Sequence, residues 1–112
     1  MSYESRLYVV DKLDDYGYGE VIAVFNLCAV PSVANKMKAY PPTNLYIYSG
    51  DTKVTTDCYG KPLTEIPIKD AISIIEEAAS HESYRRFGPC LSMLKGFELN
   101  RWRDLVVLHY GY

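Results

Sequence analysis

Hydrophobic and polar residues alternate over some stretches of this chain and recur at helical spacing over others. Residues 5 to 12 alternate, with Leu7 and Val9 on one side and Arg6, Tyr8 and Val10 on the other, which predicts a first strand. Asp14-Asp15-Tyr16-Gly17-Tyr18-Gly19 reads as a turn, because glycine supplies positive φ and aspartate bonds locally to the backbone. Residues 20 to 28 are a near-continuous apolar run. Val21, Ile22, Val24 and Phe25 favour a strand covered on both faces, with a helix as the alternative. The two runs and their turn make a hairpin. A second hairpin follows: Asn44 to Tyr48 alternates strongly, Ser49-Gly50-Asp51 turns and Lys53 to Thr56 returns. Tyr59-Gly60-Lys61-Pro62 is a loop. Leu105 to Tyr110 is the last strand, and its Val106-Val107-Leu108 run predicts a well-covered position between earlier strands.

Three segments carry helical spacing. Pro31-Ser32 opens a short helix bearing Val33, Met37 and Tyr40, with Ser32 as its expected cap and Pro41-Pro42 as its stop. After Pro67, residues Ile68, Ala71, Ile72, Ile75, Ala78 and Ala79 fall on one stripe, with Lys69, Ser73, Glu76, Glu77 and Ser80 away from it. Tyr84, Phe87, Leu91 and Leu94 make a third region. Gly88-Pro89 inside it predicts a break or kink, Gly96 its end, and Asn100 to Asp104 one further turn. The order of elements predicts an α+β fold: a mainly antiparallel sheet of about five strands with two to three helices packed on one face. The 112 residues fit a single domain spanning 1–112.

Composition narrows the classes. With 48% hydrophobic and 23% charged residues the chain is an ordinary globular one, and disorder is excluded as its general state. A net charge of -2 disfavours non-specific phosphate-backbone binding. On a finer scale the charge separates. Glu65, Asp70, Glu76, Glu77 and Glu82 accompany Lys69, whereas Arg85, Arg86, Lys95, Arg101 and Arg103 accompany Glu98; the two segments are expected to face each other. The start of the chain lacks the basic and apolar regions of a secretory leader. The longest apolar stretch, Val21 to Val30, is broken by Asn26 and too short to span a bilayer. Three cysteines without a Cys-x-x-Cys fit a reducing compartment, so a cytoplasmic, non-membrane protein is expected.

Candidate chemistry is sparse. His81 and His109 are the two histidines; His81 suits a helix C-terminus and His109, between Leu108 and Tyr110, reads as structural. Cys28 and Cys90 read as buried hydrophobes, and Cys58, beside Tyr59 in a turn, as exposed. Histidine and cysteine lack the paired spacing of a metal site, and Gly17-Tyr18-Gly19 lacks the strand-to-helix context of a phosphate cradle. The adjacent acids Asp14-Asp15 and Glu76-Glu77 read as solvated surface. No catalytic residue, metal or cofactor is assigned.

The strongest remaining signal is eleven tyrosines, against three phenylalanines and one tryptophan. A tyrosine ring packs apolar area while its hydroxyl stays near water, and tyrosine is enriched in interface hot spots. Tyr8, Tyr46, Tyr48 and Tyr110 alternate with aliphatic residues in the strands and are the candidate protein interface. The expected partner is a host protein or a second copy of the chain. The alternative is a nucleic-acid or nucleotide platform, not favoured by the net charge, built on Arg85 and Arg86 with Arg101, Trp102 and Arg103.

Four segments taken together, Ser5-Arg6-Leu7-Tyr8-Val9-Val10, Leu63-Thr64-Glu65-Ile66-Pro67-Ile68-Lys69-Asp70-Ala71, Tyr84-Arg85-Arg86-Phe87 and Asp104-Leu105-Val106-Val107-Leu108-His109-Tyr110-Gly111, resemble small uncharacterised proteins of phages and prophages of Gram-positive bacteria. The likeness spans nearly the whole chain and carries no diagnostic motif or catalytic residue. It implies a non-enzymatic accessory role, of the kind in which compact phage proteins bind host proteins, inhibitors of bacterial defence among them.

Overall fold

The computed structural model of the chain describes residues 4–13, 17–28, 30–81, 86–100 and 104–111. In chain order they form β1 (Glu4–Leu13), β2 (Tyr18–Cys28), α1 (Pro31–Lys38), β3 (Ile47–Ser49), β4 (Thr52–Val54), β5 (Thr64–Pro67), α2 (Ile68–His81), α3 (Phe87–Leu99) and β6 (Leu105–Gly111). This is the expected α+β architecture. The large sheet has the order β2-β1-β6-β5, and every neighbouring pair in it is antiparallel. β3 and β4 form a separate two-stranded hairpin.

β6 enters between β1 and β5, where its Val106-Val107-Leu108 run is covered on both sides and paired along both edges. Alternation in β1 then sorts the core into two. Leu7 and Val9 join Ile66 and Val107 in a cluster with Ile75, Ala78, Phe87 and Leu94 of the helices. Tyr8 and Val10 join Val106 and Leu108 in a smaller cluster with Ile47 and Leu63. A bulge keeps β2 in step with this division. Val9 faces Ala23 and Val10 faces Val21, so Ile22 is the extra residue. It packs with the helix-side cluster, whereas Val21 packs with the other.

The structure corrects several sequence expectations. β2 is an edge strand, not one covered on both faces, and Val24 is half exposed. The small hairpin is shorter than its alternating pattern. β5 was not anticipated, because four residues ending in proline are too short to show a period. The first residue outside α1 is Val30, and no side chain caps the helix, so Ser32 is not its cap. α3 is continuous from Phe87: Pro89 falls in its first turn, where an amide donor has no intrahelical partner to lose. The helix also passes through Gly96, whose carbonyl accepts from the Asn100 amide at 3.1 Å. The acidic and basic segments do meet across α2 and α3, where Lys95 Nζ lies 2.9 Å from Glu76 Oε2. Tyr84, Glu82 and the central part of the expected Asn100–Asp104 turn lie outside the described residues, as do Asp14-Asp15-Tyr16.

Candidate interaction surface on the small hairpin

Ile47 anchors the hairpin. It is fully buried against the sheet, and it pairs with Val54 across the two strands. Successive strand residues point to opposite sides, so Tyr46 and Tyr48 emerge on the face away from Ile47. The backbone locks this placement. The Gly19 amide donates to the Tyr46 carbonyl at 2.8 Å, and the Tyr46 amide donates to the Gly17 carbonyl at 2.9 Å. The strand and the hairpin approach closely at Gly19: a β-carbon there would sit 3.4 Å from both Val10 Cβ and Ile47 Cγ2, at the near limit of ordinary van der Waals contact.

Docking brings three rings together. Tyr18 and Tyr46 stack with centroids 5.4 Å apart and planes at 29°. Tyr48 meets both edge-on, at 5.8 Å from Tyr18 and 5.9 Å from Tyr46. Lys53, opposite Tyr48 in the hairpin, holds its ammonium 4.3 Å from the centre of the Tyr46 ring. Tyr48 is 45% exposed. Tyr18 was missed in the sequence, where it reads as part of a turn; its role depends on where the distant hairpin lands, which no local pattern encodes.

The other two candidate tyrosines are placed differently. Tyr8 is 2% exposed, so the expectation that it presents a surface is corrected: the small hairpin covers that face of the sheet. Its hydroxyl is 3.3 Å from the Arg6 guanidinium, which donates to it. Tyr110 is half-buried, edge-on to Tyr8 at 6.1 Å, with the Arg6 guanidinium 5.0 Å from its ring centre. Tyr46 and Tyr48 therefore form the outer layer, and Tyr8 and Tyr110 belong to a second pair.

Of the arginine platform, Arg85, Arg101, Trp102 and Arg103 lie outside the described residues. Arg86 is exposed, and its guanidinium donates to the Asn26 carbonyl at 3.2 Å, tying the start of α3 to the end of β2.

His109 is 3% exposed. Burial pushes its imidazole down to about 4, with Lys38 adding to the effect and Asp57 opposing it, so the ring is neutral near pH 7. Its Nε2 lies 3.4 Å from Ser5 Oγ. Burial pushes the Cys90 thiol up to about 12, which leaves it protonated and inert, whereas Cys58 is exposed. Burial raises the Glu65 carboxyl, but hydrogen bonds from Lys12 and Thr43 outweigh it and hold the group below its usual range. The Tyr40 phenol is raised chiefly by its 2.9 Å bond to Asp70. Among the described residues no three His, Cys, Asp or Glu side chains converge as metal ligands, and no helix is long and apolar enough to cross a membrane.

Comparison with protein-family models, with curated proteins and with solved structures gave no significant match to this chain.

Proposed function

We propose that the protein is a non-enzymatic protein-binding module whose contact surface is the outer face of the β3–β4 hairpin. One observation carries this reading: three tyrosine rings and a lysine, drawn from two separate parts of the chain, are mutually packed on a face that points away from the core. Rings already held against one another lose little conformational freedom on binding, which favours affinity. Tyr48 supplies exposed apolar area, and the phenol hydroxyls supply hydrogen bonds at its margin. The edge of β2 adds a second means of contact. Between its contact with Tyr46 at Gly19 and its contact with Arg86 at Asn26, the stretch of β2 with exposed Glu20 and Val24 has no partner strand on that side among the described residues, a place where another strand could add.

The partner in this reading is a host protein or a second copy of the chain, met in the cytoplasm. The setting we favour is an accessory, anti-defence role in a phage or prophage, which rests on the resemblance of the four segments alone. The test is native mass measurement of the tagged protein purified gently from its host background. A co-purifying protein or a homo-oligomer at fixed stoichiometry is expected for the wild type. Tyr46→Ala combined with Tyr48→Ala should abolish that complex while the circular dichroism spectrum and unfolding midpoint stay near wild type. A folded double variant that still assembles would sink the proposal.

A further inference from the structure

Alternation along the strands sets aliphatic side chains on the helix-facing side of the large sheet, except at one end. Leu7, Val9, Ile66 and Val107 follow the rule. Two residues nearer that end of each strand, the same side carries Ser5, Thr64 and His109. His109 is paired with Leu7 on one side and with Thr64 on the other. An apolar core gains nothing from polar groups here, because a buried one costs free energy unless it is bonded. Thr64 Oγ1 is enclosed and has no hydrogen-bond partner among the described residues. His109, itself 3% exposed, makes one such contact, from Nε2 to Ser5 Oγ at 3.4 Å, and its other ring nitrogen makes none among the described residues.

His109 and Thr64 form the floor of an open cavity of about 310 Å³. Its walls come from the chain leaving α1 and from the loop before β5. Tyr40, Pro42 and Pro62 offer ring faces, and the Tyr40 ring is fixed by its hydroxyl, which donates to Asp70 at 2.9 Å. Lys38, Lys61 and Asp57 bring charges of both signs. Asp57 Oδ1 already accepts from the amides of Tyr59 and Lys61, at 2.8 and 3.0 Å. The lining therefore selects no single charge. A neutral imidazole offers one donor and one acceptor, and a threonine hydroxyl serves as either. Ring faces at the walls with a few polar groups at the floor is the ordinary composition of a small-ligand pocket, and the volume lies at the small end of the range.

We propose that this cavity binds a small uncharged heteroaromatic ring, a flat molecule with a hydrogen-bond donor and an acceptor on one edge. Its faces pack against the proline and tyrosine rings. Its edge meets the unbonded nitrogen of His109 and the Thr64 hydroxyl, which turns toward it by rotation about χ1. The Ser5 contact holds the imidazole in orientation. Binding supplies the two hydrogen bonds that the fold alone leaves unmade. The cavity lies on the side of the sheet opposite the tyrosine cluster, so its occupancy does not depend on whether that cluster binds a protein.

The experiment is a nuclear magnetic resonance titration of the full chain near pH 7, read at the Thr64 methyl group and the His109 ring. The probes are adenine and uracil, with toluene as a flat ring that lacks hydrogen-bonding groups and benzoate as a charged one. Saturable shifts at both residues are expected with at least one of the two bases, with toluene and benzoate binding more weakly. Thr64→Val keeps the shape of the side chain and removes its hydroxyl. It should weaken the base roughly tenfold, as loss of one hydrogen bond implies. Its unfolding midpoint without ligand should stay at or above that of the wild type, since the hydroxyl has no bond to lose. Lys95→Met, remote on α3, should change neither. No saturable shift with either base, toluene binding as tightly as the bases, tighter binding of benzoate, or unchanged affinity in a folded Thr64→Val would overturn the proposal.

Discussion

The two faces of the large sheet are built from the same strands and are finished in opposite ways. On one face three helices lay down aliphatic side chains and Phe87, and the strand residues beneath them are almost wholly enclosed. On the other, a hairpin of two three-residue strands covers Tyr8, Val10, Val106 and Leu108, and its own outer side carries rings and charge. The difference lies in what alternates with the aliphatic residues. Where the neighbours are aliphatic as well, a strand can accept helices. Where they are tyrosine and arginine, the cover is thin and polar groups reach its rim. One face holds the fold together, and the other leaves chemistry accessible.

That division can be broken most severely on the helix side. Phe87 is 1% exposed inside the larger cluster, so Phe87→Ala should cost about 3–5 kcal/mol in denaturant unfolding. A loss below about 1 kcal/mol would mean that the helix layer is not the main source of stability. Acid should weaken the same side by up to about 3 kcal/mol through His109. This imidazole titrates near 4 in the folded chain and near its ordinary 6.5 when unfolded, so between these values the unfolded state binds the extra proton. Stability is then fully present above pH 6.5 and lost as the pH falls toward 4. A His109→Gln variant should flatten that part of the profile, and a slope unaltered by the substitution would assign it to other groups.

The hairpin side should respond less. Ile47→Ala removes the anchor of a thin layer that can partly collapse, and should cost about 2 kcal/mol. It should also erase the near-ultraviolet dichroism of the packed tyrosines; a spectrum left intact would show that Ile47 does not position them. The smallest effect belongs to the Lys95–Glu76 pair, whose side chains are more than half exposed. Lys95→Ala should change stability by no more than about 0.5 kcal/mol, and less at high salt.

Helix-side features were largely legible in the chain. Ala71, Ile72, Ile75 and Ala78 announce α2 by spacing alone, and Val106-Val107-Leu108 announces a central strand. Ile74, also buried, breaks the simple stripe because α2 is covered on more than one side. Hairpin-side features were legible only in outline. Alternation says that Tyr8 and Tyr46 lie opposite their aliphatic neighbours, yet it does not say what covers each side. Tyr8 is enclosed because the hairpin folds back over β1, a long-range event with no local marker. For the same reason Tyr18, adjacent to a turn in sequence, becomes the stacking partner of Tyr46.

The central place of β6 bears on how the chain folds. Its partner β1 lies at the far end of the sequence, as the Ser5–His109 contact across 104 positions shows. The β1–β2 hairpin can form early from neighbouring residues, but β5 cannot join it until β6 fills the gap. Until then the edge of β1 and both apolar layers stay open to other chains. Folding is accordingly expected to be slow for a domain of this size, with its greatest exposure to aggregation or chaperone capture just before the middle strand arrives.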